Sequence, residues 1–293
     1  LEERCGERRL RAILVAMGQA LWAGTPNGIV ADTNSGLLFS PSHFTWMDTN
    51  HPAGSPREGY PIEIQALWHA ALTFLASTVP GTAAEEWRRR AEAVRASIVR
   101  YYFSPEMGYL ADCLHASPGT PAAQAVADTA LRPNQLLALT LGAIEAREIS
   151  EAVLNACQGL LVPGAIRSLA DQTVAPPLAV HHQGRLLNDP HHPYWGRYKG
   201  DEDTRRKPAY HNGTAWAWPF PSYCEAWARH HGPGANHTAL AWLGSAVEKL
   251  HHGCLGHLPE IQDGNAPHRD RGCDAQAWSV SEVLRVWLQL GGP

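Results

Sequence analysis

Several features that place a chain in a common class of protein are absent from these 293 residues. There is no run of 18 apolar residues and no signal-peptide pattern, so we expect a soluble cytoplasmic protein without membrane contact. The net charge is −4 and no basic block occurs, which argues against nucleic acid as a partner. A phosphate loop of the Gly-x-x-x-x-Gly-Lys type and clear strand alternation are also missing.

The six cysteines are scattered and form no Cys-x-x-Cys pair, so neither a disulfide framework nor a zinc knuckle is indicated. Four adjacent His-His pairs, which begin at His181, His191, His230 and His251, suggest metal binding as a rival hypothesis. The side chains of adjacent histidines diverge, however, and no His-Glu-x-x-His segment is present. We therefore expect neither a metal ion nor a cofactor.

The sequence does have enough apolar residues for a large core, since 44% of them are hydrophobic and 18% are charged. Eleven Trp against five Phe is an unusual balance. The flat face of Trp suits stacking on sugar rings, although Trp also fills large cores. The chain opens with Leu1-Glu-Glu-Arg4 inside a helical pattern, so we expect it to be a fragment of a longer polypeptide.

Apolar residues at helical spacing predict about eight helices. They fall at residues up to 22, 62–79, 82–103, 133–142, 147–160, 213–231, 236–252 and 274–290. Thr82-Ala-Ala-Glu85 resembles a capping box at the start of the third. Turns and short strands are expected over 104–130, and 23–61, 161–210 and 253–273 are irregular. Helices that arrive in pairs without a shared repeat favour an α/α toroid over a solenoid.

The stretch 44–69 is the one around which the chain is organised. It begins as a loop interrupted by Pro52, Gly54, Pro56, Gly59 and Pro61, and then enters a helix. Its charged and aromatic side chains include Asp48, Arg57, Glu58, Glu63, Trp46, Tyr60 and Trp68. Carboxylates and a guanidinium among aromatic faces suit a sugar-binding catalytic cleft. A surface loop before an ordinary helix is the alternative.

Four segments together form a more specific pattern. They are Thr45-Trp-Met-Asp48 with Pro56-Arg-Glu-Gly-Tyr-Pro-Ile-Glu-Ile-Gln-Ala-Leu-Trp68; Leu131-Arg-Pro-Asn-Gln-Leu-Leu-Ala138; Tyr210-His-Asn-Gly-Thr-Ala-Trp-Ala-Trp218; and Leu258-Pro-Glu-Ile-Gln-Asp-Gly264 with Gly272-Cys-Asp-Ala-Gln-Ala-Trp-Ser279. In this order and spacing they resemble the C-terminal amylo-α-1,6-glucosidase domain of glycogen debranching enzymes, over roughly residues 20–290.

The resemblance implies an all-α (α/α) toroid of six helical hairpins, which releases an α-1,6-linked glucose from glycogen or a limit dextrin with inversion. Because eight helices are visible where the family has twelve, we expect residues 1–293 to be one catalytic domain that lacks its first helices. The oligomeric state is open. A trehalase- or glucoamylase-like toroid glucosidase and a non-catalytic glucan-binding module are the alternatives.

Inverting hydrolysis needs a protonated carboxyl group at the leaving oxygen and a carboxylate that activates water on the opposite face, ~6.5–9.5 Å apart. By resemblance, Asp48 is the general acid, partly desolvated by Trp46 and Met47, and Glu260 is the base. Asp48 could instead cap a turn, and Glu260 could be a solvated loop residue. Asp263, and after it Glu63, compete for the role of base.

The resemblance also implies a set of substrate-binding residues, namely Trp46, Arg57, Glu63, Arg132, Asn134, Gln135, His211, Trp216, Trp218, Gln276 and Trp278. The two arginines would bind sugar hydroxyls or hold a catalytic carboxylate, and Glu63 would accept hydrogen bonds from sugar hydroxyls. Some members have structural alternatives. Asn134 could cap a helix, and His211 could be a packed histidine or could orient Glu260.

The third segment departs from the family pattern because two prolines, at 219 and 221, follow Trp218. They should distort the first turn of the helix expected over 213–231, which leaves the contacts of Trp218 open. Trp216 would lie on this helix at a buried position, so a core role for it is as good an explanation as substrate stacking.

Overall fold

The computed structural model describes residues 7–49 and 55–292. Pro52 and Gly54 of the stretch 44–69, and Leu1–Arg4, lie outside the described residues. The helices of the described part are α1 (Glu7–Ala23), α2 (Ile62–Thr78), α3 (Thr82–Tyr102), α4 (Leu136–Thr140), α5 (Arg147–Gln158), α6 (Lys207–Tyr210), α7 (Phe220–His231), α8 (Asn236–Val247) and α9 (Ala277–Gln289). All eight expected helices have a counterpart, and the short α6 was not expected.

The hairpin of α2 and α3 shows how the sequence sets helix ends. Helix α2 stops because Pro80 holds the preceding Val79 in an extended conformation (φ −107°, ψ 145°). Helix α3 follows Gly81, whose φ of 67° favours glycine. The capping box predicted at Thr82 is wrong: Thr82 is already helical, and the residue at the cap position, Gly81, has no side chain to bond.

Two of the predicted helices are only partly α-helical. A 3₁₀ turn at Pro133–Gln135 forms the start of the segment predicted as a helix over 133–142, and another at Glu248–His251 forms the end of the one predicted over 236–252. Further turns lie at Ala122–Gln124, Glu202–Arg206 and Pro233–Ala235. The helix expected from residue 213 begins only at Phe220. A helix that started at residue 213 would need a backbone N–H at position 219, and Pro219 has none.

The expectation of an all-α fold needs correction, because short antiparallel strands join the helices. They are β1 (Val30–Ala31), β2 (Leu38–Phe39), β3 (Gly59–Pro61), β4 (Phe103–Ser104), β5 (Tyr109–Leu110), β6 (Cys113–His115), β7 (Val126–Ala127), β8 (Leu161–Val162), β9 (Ala165–Arg167), β10 (His181–His182), β11 (Arg185–Leu186), β12 (Ala215–Trp216), β13 (Ile261–Gln262) and β14 (Asp270–Arg271). Strands of two or three residues give no alternation that a sequence pattern could reveal. The short strands expected over 104–130 are confirmed.

The largest sheet of the described residues has five strands in the order β14-β13-β12-β9-β8. Ala215 pairs with Gln262 and Trp216 with Ile261, so the third and fourth sequence segments lie side by side. Trp216 therefore lies on a strand, and the prediction that it lies on a helix is wrong. This sheet brings residues separated by about fifty positions into one site.

The helices pack in two rows. Helices α2, α4, α7 and α9 contact one another in chain order, and α3, α5 and α8 pack beside them as hairpin partners. Side chains of the first row line a groove of about 470 Å³. Each of the four helices in this row begins directly after one of the stretches 56–61, 131–135, 210–219 and 258–276, so the four sequence segments gather at the N-terminal ends of the row. No helix in residues 7–49 and 55–292 is long and apolar enough to cross a membrane.

Candidate active site

Trp46 is the residue at which all four segments meet. Its ring lies edge-on to His211, Trp216 and Trp218, with centroid separations of 5.2, 5.0 and 5.1 Å. Its Nε1 donates a 2.8 Å hydrogen bond to Oδ1 of Asn134. The predicted aromatic residues are therefore close together, and most of their faces pack on each other.

Trp278 differs from these rings because it is 39% exposed. It stacks on Trp218 with centroids 4.0 Å apart and an interplanar angle of 13°, and it lies edge-on to Trp46 at 6.5 Å. Trp216 and Trp218 are only 4% and 6% exposed. Of the predicted Trp platforms, Trp278 thus offers the most accessible surface for a sugar ring.

Glu260 is half-buried and lies one residue before β13. Its Oε1 accepts hydrogen bonds from the Tyr210 hydroxyl at 2.6 Å and from Gln276 Nε2 at 3.4 Å, and its Oε2 accepts one from the backbone N–H of Cys273 at 3.0 Å. A carboxylate has about four acceptor positions, so these three donors leave room for one more, such as a water molecule.

Gly272 provides the space for this carboxylate. A Cβ atom at Gly272 would lie 2.3 Å from Oε2 of Glu260, and the backbone φ of 68° is in the left-handed region. Both facts favour glycine at this position. The Gly272-Cys273 pair of the fourth segment therefore serves Glu260 directly.

Asp48 is exposed, whereas the preceding Met47 is fully buried. The predicted desolvation of Asp48 by Trp46 and Met47 is therefore not found, because these side chains turn inward and Asp48 turns outward. Burial raises the pKa of Tyr210, followed by the hydrogen bond to Glu260 and the charge of Glu260. The neighbouring Tyr198 and Asp48 add to this rise. One phenol thus lies within the electrostatic reach of both predicted catalytic carboxyl groups.

His211 contacts the loop of Asp48 and not Glu260. Its Nε2 lies 3.1 Å from Oγ1 of Thr49, while its Nδ1 has no hydrogen-bond partner among the described residues, and the side chain is 1% exposed. Burial, followed by the nearby charges of Arg132 and Arg57, lowers the pKa of His211 well below its ordinary value, so the ring is neutral. His211 therefore does not orient Glu260 as suggested. The adjacent Tyr210 donates the hydrogen bond to Glu260.

A buried ion-pair network, made of Arg57, Glu63, Asp112 and Arg132, lies behind these residues. Arg57 donates two bonds to Glu63, at 2.5 and 2.6 Å, and its Nε bonds Asp112 at 2.7 Å. Arg57 holds this position with a backbone φ of 47°, which is uncommon outside glycine. Arg132 donates to the carbonyls of Ser168 and His211 and, at 2.9 Å, to Asn212.

The network residues that we predicted to bind sugar are all buried in the described structure. Arg57 and Arg132 are 3% and 2% exposed, and Glu63 is 2% exposed with both oxygens on Arg57. Their polar atoms therefore face the protein and support the site from behind. The suggestion that the arginines hold a carboxylate fits Glu63 and Asp112, neither of which is in the predicted catalytic pair.

Asn134 and Gln135 are likewise buried. Nδ2 of Asn134 donates to Oδ1 of Asp112 at 2.7 Å, so with its bond to Trp46 this side chain joins the network to the aromatic cluster. It makes no helix cap, which removes that alternative. Gln135 bonds the backbone of Leu110 and Arg132 at 3.0 Å.

Asp263, the competing candidate for the base, is engaged elsewhere. It is 4% exposed, forms a 3.0 Å ion pair with Arg271 and accepts a 2.8 Å bond from the N–H of Tyr198. A carboxylate that is bound in this way is poorly placed to activate water. Gln276, at the start of α9, reaches Glu260 as described above, which agrees with its predicted place beside the pocket.

Sequence reasoning missed Tyr210, Thr49 and Asp112 as site residues. Tyr210 and Thr49 each adjoin a predicted residue, so adjacency was the available signal. Asp112 lies outside the four segments, and nothing in its local sequence marks it. Among residues 7–49 and 55–292, no group of three or more His, Cys, Asp or Glu side chains is placed to hold a metal ion.

Comparisons with known proteins point to a family. The family model described as amylo-alpha-1,6-glucosidase matches residues 8–285, which is most of the chain. A comparison with curated proteins gives no match.

Solved structures with a partly similar arrangement include neutral trehalase Nth1 from Saccharomyces cerevisiae, with a TM-score of 0.48 and 15% identity over 79% of this chain and 38% of the trehalase. Another is an uncharacterized conserved protein from Thermus thermophilus, with a TM-score of 0.46 and 14% identity over 78% of this chain and 46% of that protein. The chain thus spans less than half the length of either.

Proposed function

The chain belongs to the amylo-alpha-1,6-glucosidase family, and from this membership we propose that it is a glycoside hydrolase that releases α-1,6-linked glucose at the branch points of glycogen or a limit dextrin. The chain would then form one catalytic domain. The observation that supports it most is a pair of contacts: the Tyr210 hydroxyl bonds Glu260, and the adjacent His211 lies 3.1 Å from Thr49, the residue after Asp48.

Asp48 and Glu260 have contrasting surroundings that suit the two roles of inverting hydrolysis. Glu260 accepts three hydrogen bonds and is half-buried, so its carboxyl group is held in place with an acceptor position open for the water that a base would activate. Asp48 is exposed, so its side chain can reach a glycosidic oxygen on the solvent side. Bound glucan would exclude water from Asp48 and favour its protonated form.

The substrate would meet an aromatic surface formed by Trp278, with Trp218 and Trp46 packed behind it. Aromatic faces bind the apolar face of a sugar ring, and the nearby carboxyl groups and Gln276 can exchange hydrogen bonds with its hydroxyls. The buried ion-pair network then keeps the N-terminal ends of α2 and α4 in register with the aromatic cluster.

A panel of substrates tests the proposed specificity. Purified protein is incubated with a 6-α-glucosyl-dextrin, with trehalose and with linear maltotetraose, and released glucose is measured. We expect glucose from the branched dextrin alone. Release from trehalose or maltotetraose would support another toroid α-glucosidase, and glucan binding without release from any substrate would support a binding module.

A further inference from the structure

Tyr210 and His211 are adjacent in the chain, yet each contacts a different catalytic segment. The Tyr210 hydroxyl bonds Oε1 of Glu260 at 2.6 Å, fifty residues later. The His211 ring lies 3.1 Å from the hydroxyl of Thr49, the residue after Asp48. Two neighbouring residues therefore connect the segment of the predicted acid to the segment of the predicted base.

This pair is itself held firmly by its surroundings. Trp216 donates a 2.9 Å bond from Nε1 to the carbonyl of Tyr210, and Arg132 donates to the carbonyl of His211. The Trp216 ring stacks on His211 with an interplanar angle of 8° and packs against Tyr210 at 4.8 Å. Because both backbone carbonyls and both rings are fixed, the pair can act as a rigid spacer.

We propose that Tyr210 and His211 are positioning residues that together set the separation and orientation of Asp48 and Glu260. This inference rests on the proposed hydrolase function. Tyr210 fixes one oxygen of Glu260, and His211 fixes the loop of Asp48 through Thr49. An inverting reaction depends on this separation, because the gap between the two carboxyl groups must hold both the sugar and a water molecule.

The pH dependence of the reaction can report on Tyr210, because the structure places two phenols in the described residues near Glu260 and only one of them bonds it. They are Tyr210 from α6 and Tyr198 from the preceding loop, with Arg206 over the Tyr198 ring at 5.8 Å. Cys273 contributes its backbone N–H, and Gln276 from α9 does not titrate. Burial raises the pKa values of both tyrosines, so neither phenol ionises near neutral pH.

The first test compares Tyr210→Phe with Tyr198→Phe on a 6-α-glucosyl-dextrin across a range of pH. Tyr210→Phe keeps the ring but removes a donor that stabilises the ionised base. We expect kcat to fall about tenfold, KM to change little, and the acidic limb of the pH–rate profile to move up by about one unit. Tyr198→Phe removes a phenol from the same region that does not bond Glu260, and its acidic limb should match that of the wild type.

The second test addresses the His211 arm through Thr49. Thr49→Val removes the hydroxyl that faces Nε2 of His211 and should lower kcat about tenfold, with the acidic limb unmoved. Thr49→Ser restores a hydroxyl at the same position and should recover most of the rate. Equal losses in the Val and Ser variants would contradict a positioning role for this bond.

The two proposals fail in different ways. If wild-type protein releases no glucose from the branched dextrin, or if Glu260→Gln is fully active, the proposed function is wrong. If Glu260→Gln is inactive but Tyr210→Phe keeps the wild-type kcat and acidic limb, the function stands and the positioning role is wrong. A shift shared by the Tyr210→Phe and Tyr198→Phe variants would also overturn it.

Discussion

Two groups of carboxylates lie within the same region of the fold and have opposite surroundings. Glu63 and Asp112 are at most 2% exposed and are bound by the guanidinium groups of Arg57 and Arg132. Asp48 is exposed, and Glu260 is half-buried and bonded only by neutral donors among the described residues. The first group is held by buried cations, and the second keeps side-chain oxygens open to a ligand.

The difference teaches how neighbouring acidic residues divide between structure and catalysis. A buried carboxylate with a bidentate arginine is costly to disturb, and it has no free oxygen with which to act on a substrate. A carboxylate held by O–H and N–H groups keeps its orientation and an open acceptor position. Mutations should therefore separate the groups, since loss of stability marks the first and loss of turnover marks the second.

The largest effect should come from Asp48 and Glu260, the predicted catalytic pair. Asp48→Asn and Glu260→Gln should each lower kcat by about 10³–10⁴-fold, since each removes a proton-transfer group. Glucan binding and the thermal midpoint should change little. Release of glucose from a 6-α-glucosyl-dextrin, glucan binding and thermal unfolding are the measurements.

The matched control for that pair is Glu58→Gln. Glu58 belongs to the first segment and is partly exposed, and it is not among the predicted site residues. It should keep wild-type turnover. If Glu58→Gln is as damaging as Glu260→Gln, charge in this region matters in general and the catalytic assignment is not supported.

The next effect is on stability. Glu63→Gln leaves the buried Arg57 guanidinium with Asp112 as its remaining charged partner in the described part of the chain, so we expect the free energy of unfolding to fall by about 3–5 kcal/mol. Chemical denaturation measures this loss. At a temperature at which the variant is folded it should retain far more turnover than Glu260→Gln, and a folded but inactive Glu63→Gln variant would remove the distinction between the two groups.

A smaller effect is expected from Gly272→Ala, which tests the space around Glu260. The added methyl group would lie 2.3 Å from Oε2, and alanine disfavours the φ of 68°. We expect kcat to fall about tenfold and stability to fall by about 1–3 kcal/mol. Gly108→Ala is the control, since it shares a positive φ of 72° with open space around it, and it should affect stability but not kcat.

The smallest effect concerns pH and His211. Because the pKa of His211 is lowered in the folded protein, its contribution to stability is fully present above the ordinary value of 6.5 and is lost as the pH falls below it. Below pH 6.5, the slope that His211 adds to the unfolding free energy should approach about 1.4 kcal/mol per pH unit. His211→Gln should flatten the dependence of unfolding free energy on pH between about 6.5 and 5, and equal slopes in both proteins would show that His211 is not the group responsible.

Much of the helical framework could be predicted from the sequence because helices leave a periodic pattern. The helices that begin at Ile62 and Thr82 match the predicted starts, and they end one residue before the predicted ends. The family could also be predicted, since the four segments occur in order, and the match over residues 8–285 confirms it.

The division of the site residues could not be predicted, because it depends on which side chains meet. Arg57, Arg132 and Trp278 all lie in the four segments that resemble the family. Only the fold shows that both guanidinium groups pair with Asp112 and contact other protein atoms. The helix predicted through Trp216 failed because a two-residue strand has no periodic signal and the prolines that follow delay the helix. The catalytic roles of Asp48 and Glu260 stay a prediction.

The most direct test of those roles uses α-glucosyl fluoride, whose leaving group departs without protonation and so needs a base but no general acid. The account predicts that Asp48→Asn hydrolyses the fluoride at a rate within about tenfold of the wild type while Glu260→Gln stays inactive. If Glu260→Gln is the variant that recovers, or if both variants stay inactive on the fluoride, the assignment of Asp48 as acid and Glu260 as base is contradicted.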